Sequence, residues 1–495
     1  MGFKEDAQFA RYVTMGAVGT AAVARDLRTR FGHNPIELER YAMANKVWGV
    51  KMKRMRIPDL VCTDCGRRVE SKAKTKLEVK LSHSGTPGRE WNAGGMRDQD
   101  VFAFVRVSGS GESASTVGEP GYFTRGGLQR AVGHVRQGGR KAASEGSEVD
   151  LSWPVWVPSV DGTLVELEND EVIFTTADGK RKKYWQSRNW PERHLYLSEG
   201  EAFIGKSTIV AGVIESISDL TCTGASWDIG RDLAAQDADD RYAAVKAAGV
   251  SSTGAVVDPL VVIAEDGKED WRIKLEAMAS LARLDDAAMW VTPIAEVGSD
   301  TDRDVAEQME AVFILSEIPA SEAADALNAI GQAQTDRHEE VRAAAVWGLG
   351  TGAARAGELA LAFTTDPNDR VALHAAAAIQ ELPSAAIKTL RTWLREGDAR
   401  AASVAAALLA HHDQIEVLLD AAAEDGAARL WAMRALGDLS PAKVKERADG
   451  RLTREMLEAL APLWVQHEDW LRTAENEGAL PLLAEQQVRF EPTNP

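Results

Sequence analysis

Residues 57–74 read IPDLVCTDCGRRVESKAK, and they place an aspartate, a glutamate and a lysine at a spacing suited to phosphodiester chemistry. Pro58-Asp59 comes first, then Glu70-Ser71-Lys72. The apolar run IPDLVC, the turn TDCG and the alternating RRVESKAKTKLEVK predict a β-hairpin. With the turn centred on Asp64-Cys65, Asp59 faces Glu70 on the neighbouring strand. Like charges in cross-strand register repel unless something neutralises them. A divalent cation would do so, and oxygen donors of this kind suit Mg²⁺ or Mn²⁺. Lys72 projects from the same sheet face, two residues past Glu70. Such a trio predicts metal-assisted hydrolysis of a phosphodiester.

The order Pro58-Asp59, then Glu70-x-Lys72, resembles the PD-(D/E)xK nuclease superfamily with its restriction-endonuclease-like α/β fold, over about the first 110 residues. The resemblance implies that Asp59 and Glu70 ligate the metal and that Lys72 orients the attacking water and steadies the developing charge. It also implies an acid contributed from upstream, Glu37 or Glu39, and a polar helper before a later strand, for which Gln99 is a candidate.

The charge balance points the same way. Residues 1–145 carry 25 Lys+Arg against 15 Asp+Glu, whereas the whole chain is −18, so residues 146–495 carry −28. Lys51, Lys53, Arg54 and Arg56 precede the Asp59 strand, and Lys74 follows Lys72. Together they form an expected nucleic-acid contact, with DNA as the partner.

Two of the three cysteines form Cys62-Thr63-Asp64-Cys65-Gly66, the shape of a zinc knuckle. A structural zinc site needs four ligands, and there is no second C-x-x-C. His83, His33 or Cys222 could complete the set, none at a telling spacing, so the sequence favours a hairpin tip bearing thiols over Zn²⁺ at Cys62 and Cys65.

The elements that must hold these residues follow from pattern. A helix from about Glu5 to Arg30 precedes the sheet, and VFAFVRV (101–107) reads as a buried strand. Residues 108–120 read as a loop, and a short helix is expected around 127–136. These make a first domain, 1–145. Residues 146–230 are short β-rich runs divided by turns, a small β domain whose Trp153, Trp156, Tyr184, Trp185 and Trp190 read as core in preference to a platform for single-stranded nucleic acid. Within it Gly200–Ser207 satisfies G-x-x-x-x-G-K-S. Its acid and bulky residues and the β-branched run that follows argue against a phosphate loop.

From 231 to 495 the chain repeats. Leu281, Leu315, Leu349, Ile379, Leu409 and Leu436 recur at intervals of 34, 34, 30, 30 and 27 residues, and acidic turns precede several of the helices. The pattern resembles HEAT-like repeats, a solenoid of stacked helix pairs. Its acidic balance favours a protein partner or self-association over wrapping DNA.

Composition is that of a globular chain, no run of about 18 apolar residues predicts a membrane span, and few cysteines fit a reducing, cytoplasmic setting. The expectation is a Mg²⁺-dependent DNA endonuclease, targeted or regulated through a helical-repeat domain, an architecture that would suit a prokaryotic defence or DNA-processing complex. The contrasting expectation is a non-catalytic adaptor whose head binds nucleic acid but has lost its chemistry.

Overall fold

A computed structural model of the chain describes residues 6–38, 48, 50, 55, 57–85, 90–92, 95–109, 113–140, 148–168, 171–185, 190, 193–215, 217, 219–224, 227–250, 254–332, 337–351, 356–379 and 381–464. It shows a mixed α/β region followed by an extensive helical region that resembles a repeat solenoid. The chain divides into two compact units, Met1–Trp290 and Val291–Pro495. Among the described residues no helix is long and apolar enough to cross a membrane.

The first unit opens with helix α1 (Asp6–Phe31), which lays Val23, Ala24 and Leu27 on a five-stranded sheet. Close approach is possible because Gly19 has no side chain; a Cβ there would lie 2.7 Å from that of Ala73. The sheet contains β1 (Pro35–Glu37), β2 (Leu60–Cys62), β3 (Arg68–Lys74), β5 (Val101–Ser108) and β6 (Ser115–Thr124), in the order β1-β2-β3-β5-β6. β2 pairs antiparallel with β1 and β3, whereas β3 and β5 run parallel. β5 is buried along nearly its whole length, as expected of a central strand with both faces covered. β6 occupies ground that sequence alone reads as a loop: SxSTVGEPGYF is poor in strand formers, and pairing with β5 across a bulge decides its conformation.

The crossover from β3 to β5 contains β4 (Lys80–His83), which leaves this sheet to pair with β8 (Val149–Ser152), itself paired with β7 (Arg136–Arg140). A second core therefore joins the head to the middle region: Leu77, Phe102, Phe123, Trp153 and Ile214 pack together. Trp153 donates its indole N–H to the Leu128 carbonyl (2.9 Å) in the short helix α2 (Arg125–Arg130). Beyond it, β9 (Val155–Trp156), β13 (His194–Leu195) and β15 (Ala211–Gly212) form one small sheet. β10 (Gly162–Glu168), β11 (Glu171–Thr176), β12 (Arg181–Trp185) and β14 (Ala202–Phe203) form another, with Trp156 stacked on Tyr184 at 4.1 Å. Gly200–Ser207 holds β14 between two turns, and no helix follows directly. Its Gly205 and Lys206 amides donate to Asp161 (2.8 Å) and Pro158 (2.6 Å), which leaves no cradle for phosphate.

Helices α3 (Ile229–Leu233), α4 (Ala238–Ala248), α5 (Val257–Glu265) and α6 (Trp271–Leu284) complete the first unit, and the division falls within α7 (Ala287–Ser299). The second unit continues as α8 (Val305–Ser316), α9 (Ser321–Gly331), α10 (Glu339–Gly348), α11 (Ala356–Phe363), α12 (Asp369–Ala378) and α13 (Ser384–Glu396). Then come α14 (Ala399–His411), α15 (Ile415–Ala422), α16 (Ala427–Gly437), α17 (Pro441–Ala448) and α18 (Arg454–Trp464). The acidic turns are N-caps: the side chains of Asp304, His338, Asn368 and Asp398 accept backbone N–H groups at the starts of α8, α10, α12 and α14. Successive pairs stack on one another, α10 against α12, α14 against α16, and α16 against α18.

Candidate metal centre

Gly32, in the left-handed region at φ 67°, ends α1 and turns the chain so that the His33 N–H donates to the Leu27 carbonyl (3.0 Å). The imidazole is thereby buried, 5 % exposed. Its Nε2 lies 2.7 Å from the Leu220 carbonyl oxygen, which can only accept, so Nε2 carries the proton and Nδ1 keeps a lone pair. That lone pair faces Cys65 Sγ at 3.5 Å.

Cys62 closes β2 and Cys65 sits in the turn to β3. The Gly66 N–H donates to the Cys62 carbonyl (2.9 Å), and Gly66 is left-handed at φ 70°, so the turn is tight enough to bring both sulfurs to one side. The Asn34 N–H points at Cys62 Sγ (3.4 Å) and Cys222 Sγ lies 3.9 Å from it. One donor atom from each of His33, Cys62, Cys65 and Cys222 falls within 4.8 Å of all the others. The hydrogen bond from Cys65 pushes the Cys62 thiol down to about 3, against the opposing effect of burial, while the Cys65 thiol is pushed up.

This cluster corrects the cofactor reading. Three sulfurs and an imidazole are the donor set typical of structural Zn²⁺, whereas Mg²⁺ and Mn²⁺ take oxygen ligands. Zinc, disfavoured from the sequence, is the metal this cluster suits, and the magnesium, nuclease and hydrolase description conflicts with it.

On the Asp59 face the expected trio does come together. The register Leu60↔Val69 does put Asp59 level with Glu70. However, Asp59 Oδ2 accepts the Ser71 N–H (2.6 Å), and Lys72 Nζ forms an ion pair with Glu70 Oε1. The like-charge repulsion that suggested a divalent ion is relieved by a peptide dipole and an ammonium. Lys74 is half-buried and donates to the Lys80 carbonyl (2.8 Å); burial, then the neighbouring Lys72, pushes its pKa down to about 8. Lys51, Lys53, Arg54, Arg56 and Glu39 lie outside the described residues. Glu37 is exposed on β1 and Gln99 is exposed in the turn before β5.

The sequence left His33 and Cys222 as two candidates among three, because nothing in their spacing marks them. A second feature was not legible either. Arg68, wholly buried, forms an ion pair with Asp240 on α4, and Arg97 bridges Asp232 on α3 (3.0 Å) and Asp240 (3.1 Å). Asp100 accepts the N–H groups of Arg68 (3.2 Å) and Arg97 (2.7 Å), and burial pushes its pKa up.

No protein-family model matches the chain, nor does any curated protein. Among solved structures it is similar to YibA of Escherichia coli, at 14 % identity over 48 % of this chain and 92 % of that one, with a TM-score of 0.26. It is also similar to the CpcE–CpcF complex of phycocyanin lyase from Nostoc sp. PCC7120, at 20 % identity over 45 % and 93 %, with a TM-score of 0.23. Scores this low carry no argument about fold or function.

Proposed function

We infer that the chain is a non-catalytic adaptor: a HEAT-like array that holds a protein partner, joined to a head of restriction-endonuclease-like architecture that contacts DNA without cutting it. The reading is carried by the internal pairing at Asp59, Glu70 and Lys72, where the groups expected to bind metal and water instead brace the β2–β3 hairpin. Support for the head's ancestry comes from α1 followed by the order β1-β2-β3-β5, with only β3 and β5 parallel. Support for a protein partner on the array comes from its acidic balance and from Leu373 and Leu430, 67 % and 66 % exposed on α12 and α16.

The test is binding and integrity of labelled duplex and single-stranded DNA, with divalent cations present or chelated, for wild type and Asp59→Ala. On each DNA the adaptor binds equally with and without cations and in both proteins, leaves the DNA intact, and loses affinity as salt rises. Cation-dependent cleavage abolished by Asp59→Ala would overturn it.

A further inference from the structure

The four donors of the metal centre come from stretches far apart in the chain. His33 follows α1, Cys62 and Cys65 flank the hairpin turn, and Cys222 lies 160 residues beyond Cys62. Cys222 belongs to the connector between β15 and α3, a segment in which the described residues form no helix or strand. What fastens that connector is therefore a separate question from what folds the head.

Its described attachments converge on one spot. The Cys222 N–H donates to the Phe31 carbonyl (2.7 Å), the last residue of α1, and the Leu220 carbonyl accepts from His33. The Trp227 N–H donates to the Asp64 carbonyl (2.8 Å) in the hairpin turn. The indole of Trp227 lies over Gly66, so closely that a Cβ on that glycine would sit 2.8 Å from the ring. The indole N–H then donates to Asp232 (2.8 Å), the acid that Arg97 also holds. Leu220, Cys222 and Trp227 are thus each tied to the end of α1 or to the hairpin turn, and α3 and α4 come next in the chain.

Two edges of the cluster match those of a filled tetrahedron. With Zn–S near 2.3 Å and Zn–N near 2.0–2.1 Å, a regular tetrahedron has S···S edges of about 3.8 Å and S···N edges of about 3.6 Å. The Cys62–Cys222 separation is 3.9 Å and the Cys65–His33 Nδ1 separation is 3.5 Å. Carbonyl-bound Nε2–H holds the imidazole in the tautomer a ligand needs. Four protein donors leave no open position, which is the mark of a structural and not a catalytic zinc.

We propose that His33, Cys62, Cys65 and Cys222 bind one Zn²⁺ that acts as a clasp, fastening the 219–228 connector to the hairpin tip and so seating α3 and α4 on the α/β layer. The proposal is independent of the adaptor reading, since a clasp serves a cutting head equally well. On binding, the ligating thiols give up their protons to solvent, and metal affinity accordingly falls in acid.

The test uses the full chain. Elemental analysis of purified protein should return about one zinc per chain, and replacement by Co²⁺ should give the visible bands of a thiolate-rich tetrahedral site. Limited trypsin digestion should leave Arg231 protected in the zinc form and cut it in chelated wild type and in Cys222→Ser. His33→Cys keeps four ligands and should retain both metal and protection, which distinguishes a lost ligand from a misfolded chain. Metal-free protein with Cys62 disulfide-bonded to Cys222 would overturn the site. Zinc bound, with Arg231 equally resistant before and after chelation, would overturn the clasp.

Discussion

Lys74 shows how far a charged side chain can be drawn from its ordinary behaviour by its surroundings. Burial and the ammonium of Lys72 lower its folded pKa to about 8 from 10.5. Between those values the unfolded chain binds more protons than the folded one, so the stabilisation belongs to the neutral amine and is lost as pH falls towards 8. Relative to Lys74→Met, wild type should gain stability between about pH 8 and pH 10.5. Parallel denaturation midpoints across that range would rule it out. Gly66 is constrained twice, by its left-handed backbone and by the Trp227 ring. Gly66→Ala should cost about 1–3 kcal/mol in urea unfolding, and Trp227→Ala on the same background should recover part of that.

Elements were read from the sequence more reliably than the site was. The hairpin carrying Asp59 and Glu70, the long first helix, the buried β5 and the capped helices of the array all announce themselves through local period and turn chemistry. The centre did not, because a ligand such as Cys222 is brought in by tertiary topology and leaves no trace in spacing. The Mg²⁺ expectation gave way for the same reason: the thiol and imidazole donors that suit Zn²⁺ are gathered by tertiary topology, and alternation, which shows which side chains share a face, does not show that Lys72 pairs with Glu70.

The array shows a similar contrast between ion pairs. Arg342 reaches from α10 to Asp366 (2.6 Å) with both side chains buried, and also donates to the Gly331 (3.1 Å) and Gln332 (3.2 Å) carbonyls. Arg447 on α17 meets Glu416 on α15 (3.4 Å) in the open. Arg342→Ala should destabilise the array by about 3–5 kcal/mol, since the buried Asp366 carboxylate loses its cation and keeps only the Asn368 N–H (2.9 Å). Arg447→Ala should cost at most about 0.5 kcal/mol. Equal effects on unfolding would show that burial does not set the difference.

At the scale of the molecule, a cationic first third and an acidic remainder divide the labour of attraction. The head and middle regions share the core around Phe102, Phe123 and Trp153, so the β-rich middle is a wall of the head and not a bead on a string. Truncation between residues 145 and 148 would remove β8, the partner of β4, and expose that core to water.

The placement of Cys222 also sets an order of events during biosynthesis. A ribosome adds about 5–20 residues per second, so its thiol emerges roughly 8–30 s after that of Cys62. Throughout that interval the nascent head has two cysteines and a histidine in reach and no fourth ligand. The centre can mature only once the middle region has left the exit tunnel, and an interrupted chain is marked by its unfinished site.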